Sequence, residues 1–113
     1  MTRVKTKRDA PVLTGKQAYI ARLRAGETVS FREAGNSMTP KIRSRQKCTY
    51  IPVLKPTDVE VGDAVFCKVG GSYFTHLITA VRGDQYQISN NHGHVNGWVT
   101  ISSIFGKVVT VEN

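Results

Sequence analysis

Ser37 stands in the run Gly35-Asn36-Ser37-Met38-Thr39-Pro40, and His76 stands in the middle of the apolar run SYFTHLITAV. A serine hydroxyl becomes a useful nucleophile when a neighbouring base takes its proton, and histidine, with an unperturbed pKa of about 6.5, does so at neutral pH. The glycine two residues before Ser37 allows close backbone approach, as a pocket of main-chain amides at Ser37 and Met38 would require to hold an oxyanion. A serine in a polar turn is usually a turn serine and nothing more. Here the motif is followed in order by Pro40, by a Gly62-Asp63 turn and by His76. Strand alternation puts Phe74, His76, Ile78 and Ala80 on one face and Tyr73, Thr75, Leu77 and Thr79 on the other. Burial among such neighbours would disfavour imidazolium and keep His76 a proton acceptor.

A third group would orient the imidazole. The stretch from Ser89 to Asn96 holds no carboxylate, so Asn90 and Asn91 are the candidates, acting through a side-chain oxygen. Lys68 is a rival base, against its reading as a surface lysine at a strand end. His92, His94, Cys48, Cys67 and His76 match no established zinc spacing, so neither metal nor cofactor is expected. Two cysteines so far apart read as reduced core residues. Trp98 reads as a core or lid residue.

These side chains need a frame. Residues 1 to 12 read as a basic arm, and residues 13 to 113 as one domain. A capping box at Thr14 and Gln17 opens a short helix over AYIARLRA that ends at Gly26. Its narrow apolar stripe must lean on something larger. After Gly26 come β-branched and aromatic runs, TVSFREA, KCTYIPV, DAVFCKV, SYFTHLITAV, DQYQIS, WVTI and GKVVTV, separated by GNS, KPTD, GG, RGD and NNHGHVNG. The expected fold is mainly β, a small coiled antiparallel domain with one short N-terminal helix.

With 113 residues and 12.5 kDa, the chain has room for one core. No apolar run approaches the roughly 18 residues of a membrane span, and no apolar segment of a signal peptide follows the basic start. The expectation is a cytoplasmic protein with no membrane association. The net charge of +8 is lopsided: residues 1 to 47 hold 12 Lys/Arg against three acids, and residues 48 to 113 hold four against five. Such a front half suits an acidic partner.

The motifs GNSMTP, VGDAVFCKV and SYFTHLITAV, in that order, resemble the nucleophile motif, the Gly-Asp strand and the base strand of the serine peptidases that include the LexA-type self-cleaving repressors and the signal peptidases. The similarity runs from about Phe31 to Val109. It implies Ser37 as nucleophile and His76 as base, like the histidine-using archaeal and endoplasmic reticulum signal peptidases. Lys68 falls one strand earlier than the lysine of the other branch. The acidic residue of the histidine branch has no counterpart here. With 36 residues before Ser37, neither the repressors' DNA-binding domain nor the signal peptidases' membrane anchor is expected.

Two functions are therefore expected in competition. One is a serine endopeptidase-like domain acting on a peptide or protein substrate, its own chain included. The repressors cut an Ala-Gly bond in their own chain; of the two such pairs here, Ala34-Gly35 lies too near Ser37 and Ala25-Gly26 would need local unfolding. A stand-alone core of this kind also resembles small phage and prophage proteins. The other is a non-catalytic binding module that holds nucleic acid without sequence preference, or an acidic protein, through Lys41, Arg43, Arg45 and Lys47. Oligomeric state is left open.

Overall fold

The computed structural model describes Leu13 and residues 15 to 113. The arm and the Thr14 half of the capping box lie outside the described residues. Helix α1 spans Gly15–Arg24 and stops in a Schellman arrangement, the Glu27 amide donating to Arg22 O at 3.0 Å and the Gly26 amide to Leu23 O at 3.0 Å. Gly26 takes φ +89°, which costs glycine little and any other L-residue much more.

Seven strands come after it: β1 (Val29–Arg32), β2 (Lys47–Pro52), β3 (Ala64–Val69), β4 (Ser72–Arg82), β5 (Gln85–Ser89), β6 (Val95–Val99) and β7 (Ile104–Glu112). They form one curled antiparallel sheet in the order β1-β2-β7-β3-β4-β5-β6. The fold is therefore mainly β with one short helix, as the residue pattern implies. The run WVTI is not a strand of its own: Trp98 and Val99 end β6, and a 3-10 turn takes Ile101–Ser103. Val95, Asn96 and Gly97, expected within a turn, belong to β6. Only the middle of TVSFREA pairs, since β1 ends at Arg32.

Both faces of the central strand are covered. Val65, Cys67 and Val69 of β3 pack with Ile78, Ile88 and Ile104 on one side, while Phe66 packs with Phe31, Tyr50, Phe105 and Leu23 on the other. Helix α1 lies on this second core, with Tyr19 stacked on Phe31 and Phe31 on Tyr50 at centroid distances of 4.3 and 4.4 Å. Gly106 makes the close seat possible: a Cβ there would lie 3.0 Å from both Leu23 methyls and 3.1 Å from Ile51 O. Curling carries β6 back against β3, where a Cβ on Gly97 would come within 3.2 Å of Val69 Cγ1.

Candidate active site

The loop between β1 and β2 carries Ser37. It is closed at its base by the Arg45 amide on Glu33 O at 2.7 Å, and anchored by Met38, which is buried. Gly35 enters the turn at φ +128°, a conformation that suits glycine, and its amide donates to Ser44 Oγ at 3.0 Å. The Thr39 amide then donates to Asn36 O at 3.2 Å and the Ile42 amide to Met38 O at 3.0 Å. Neither the Ser37 nor the Met38 amide donates a hydrogen bond among the described residues. Ser37 itself is exposed.

Strand β4 supplies His76. The Gly62-Asp63 turn holds that strand from the side, with the Gly62 amide donating to Ile78 O at 2.8 Å and the Ile78 amide to Asp63 O at 2.9 Å. The expected alternation runs as far as Ile78; a register shift between Ile78 and Ala80 then makes Thr79 a bulge and changes the phase. His76 is 5% exposed and its ring stacks on Phe74 at 4.6 Å and 21°.

Ser37 Oγ lies 3.0 Å from His76 Nε2, and His76 Nδ1 lies 2.7 Å from Asn96 Oδ1. An amide oxygen only accepts, so Nδ1 carries the ring proton and donates it to Asn96. The lone pair of Nε2 then faces the serine hydroxyl, the tautomer a general base needs. Burial pulls the imidazole pKa below its ordinary value, against the hydrogen bond to Asn96 and the charge of Glu33, both of which favour the protonated ring; His94 adds to the lowering.

The expected orienting amides, Asn90 and Asn91, do not perform that role; Asn96 does. Asn90 Oδ1 instead accepts the His92 and His94 amides at 2.8 and 2.9 Å. Asn91 turns toward the serine loop: its amide donates to Ser37 O at 2.9 Å and its Nδ2 to Thr39 O at 2.9 Å. Asn96 reaches the ring because the β5 and β6 registers slip there. Ile88 faces Gly97 and Ser89 faces Val95, leaving Asn96 as the extra residue of a bulge. Strand alternation alone gives no sign of that slip.

Beside Ser37 opens a cleft of about 250 Å³ lined by Lys16, Glu33, Met38, Tyr50, Thr75 and His76 among others. Its polar wall is a relay. Tyr50 OH meets Thr75 Oγ1 at 2.8 Å, Thr75 Oγ1 donates to Glu33 Oε1 at 2.8 Å, and Lys16 Nζ donates to Glu33 Oε2 at 3.0 Å. Glu33 lies near the end of TVSFREA without any motif to mark it. Burial raises the thiol pKa of Cys48 and pushes that of Cys67 up to about 12, so both are protonated at neutral pH.

Lys68 lies over the Tyr73 ring at 5.3 Å and is exposed. Trp98 is neither core nor lid: it stands 38% exposed at the sheet edge under the Arg82 guanidinium, 5.2 Å away. Of the expected basic surface, Lys41, Arg43 and Arg45 are exposed and Arg43 also lines the cleft, whereas Lys47 is half-buried with Nζ 3.9 Å from Glu112 Oε1. Among the described residues no helix is long and apolar enough to cross a membrane. Comparisons with protein families, with curated proteins and with solved structures find no match to this chain.

Proposed function

We propose that this chain is a serine endopeptidase-like domain of the LexA and signal-peptidase type. The observation that carries the reading is the unbroken line Ser37 Oγ, His76 Nε2, His76 Nδ1, Asn96 Oδ1, with contacts of 3.0 and 2.7 Å at its two ends. His76 takes the Ser37 proton as Oγ attacks the carbonyl carbon of a peptide bond, and the Ser37 and Met38 amides receive the oxygen that becomes negative. The imidazolium returns its proton to the leaving amine, and a water molecule repeats the sequence to release the acyl group. Asn96 holds the ring throughout but brings no charge to balance imidazolium.

Strand β1 is an edge of the sheet and runs directly into the serine loop, so an extended peptide added along it would bring its carbonyl toward Ser37. Cleavage in trans fits better than cleavage of the chain itself, because Ala25 and Gly26 are bound into the end of α1. The test is labelling by a fluorophosphonate, which traps an activated serine. Wild type should label, Ser37→Ala should not, and His76→Ala should label slower by about a thousandfold or more. Equal labelling of wild type and Ser37→Ala would refute the assignment.

The second reading is an inactive peptidase fold that binds an acidic partner. It is favoured by Lys41, Arg43 and Arg45, which stand exposed on one loop and pair with no carboxylate among the described residues.

A further inference from the structure

The Ser37 turn belongs to no helix or strand, yet its hydroxyl must be held to a fraction of an ångström for proton transfer. Bonds within the loop fix its base and its last turn. The tip of the β5–β6 hairpin grips the middle. The Asn91 amide donates to Ser37 O, Asn91 Nδ2 donates to Thr39 O, and His92 Nε2 lies 2.9 Å from Asn36 O and 3.1 Å from Thr39 Oγ1. Thr39 Oγ1 already gives its own proton to Asn36 O at 2.9 Å. His92 Nε2 therefore carries a proton and donates it, since both groups facing it only accept. Three carbonyls around the nucleophile, those of Asn36, Ser37 and Thr39, are thus capped from a hairpin whose own tip is tied by Asn90.

The same hairpin continues into β6 and delivers Asn96 to the base. We infer that Asn91 and His92 are positioning residues for Ser37, and that one hairpin sets the nucleophile turn and the imidazole relative to each other. Neither residue touches a reacting atom. They act on the turn, and Asn96 acts on the ring. This inference rests on the reading of Ser37 as nucleophile.

Asn91→Asp keeps the shape but turns a carboxylate oxygen toward Thr39 O; His92→Ala removes a donor and His92→Gln restores an N–H near the Nε2 position. The measurements are fluorophosphonate labelling, resolved into the inactivation rate and the probe's apparent affinity across pH, and amide hydrogen exchange at Thr39. Asn91→Asp and His92→Ala should each slow inactivation by about tenfold or more, the scale of one lost hydrogen bond. Affinity should stay in place, as should the pH midpoint set by His76 in the two His92 variants, which add no charge, and His92→Gln should recover most of the rate. Thr39 exchange should accelerate about tenfold in Asn91→Asp and His92→Ala.

Rates within about twofold of wild type in both variants, or a glutamine variant as slow as the alanine, would overturn the inference. So would a displaced pH midpoint in the His92 variants, which would place the effect on the ring. If wild type itself fails to label, the peptidase reading falls and Thr39 exchange alone decides: acceleration keeps the clamp, and unchanged exchange removes it. Should Asn91→Asp not fold, the His92 pair carries the test unaided.

Discussion

In the proposed reaction, Asn96 decides how strong a base His76 is. An amide oxygen fixes the tautomer but leaves the imidazolium without a counter-charge, and burial already disfavours that cation. The acid limb of fluorophosphonate labelling should therefore have its midpoint below about 6.5. Asn96→Asp should move that midpoint up by about one pH unit or more and raise the plateau rate, because a carboxylate at Nδ1 favours the protonated ring. Glu33→Gln should move it the other way, since the Glu33 charge favours imidazolium, and should lower the plateau as the base weakens. Stopped labelling over a pH series reads all three; a midpoint unmoved by Asn96→Asp would contradict the geometry. The contact between Ser37 and His76 was legible from residue type, order and spacing. Asn96 was not, because its approach to Nδ1 depends on a register slip between two strands, and neighbouring asparagines in the same stretch look equally suitable.

At the scale of elements, the helix and the sheet meet at one small residue. A methyl group on Gly106 would press on both Leu23 methyls and on the Ile51 carbonyl, and a backbone carbonyl within a paired strand has little room to retreat. Gly106→Ala should destabilise the fold by about 1–3 kcal/mol, read as a lower urea midpoint at unchanged slope. The strand runs were legible because β-branched and aromatic residues cluster between turn formers, as in AVFCKV and QYQIS. Their ends were not. Thr100 and Ile101 have strand-forming side chains yet leave the sheet, and Val95 to Gly97 enter it despite their turn-like composition, because pairing with β5 outweighs local preference.

Across the whole molecule, strand order depends on long-range pairing: β7, last in the chain, fills the gap between β2 and β3. Nothing local announces that insertion. Charge, in contrast, is legible from composition, with the surplus confined to residues 1 to 47. Any nucleic-acid binding should ignore sequence and weaken steeply with salt, as contacts from Lys and Arg to phosphate do. Titration of mixed duplexes at two ionic strengths measures it, and triple substitution of Lys41, Arg43 and Arg45 by glutamine should reduce the salt slope by about two to three.

The residue that orients His76 is followed directly by a glycine, Asn96-Gly97. In that pair the next peptide nitrogen has no side chain to shield it and can close on the asparagine side-chain carbonyl, expelling ammonia; water then reopens the ring to aspartate or isoaspartate. Time thus becomes a variable of this protein. A stored sample would divide into three chemical populations: the original amide, an aspartyl form carrying a charge beside the imidazole, and an isoaspartyl form whose lengthened backbone no longer holds the bulge. Peptide mapping of aged protein should find the conversion at Asn96, where freshly made protein keeps the amide.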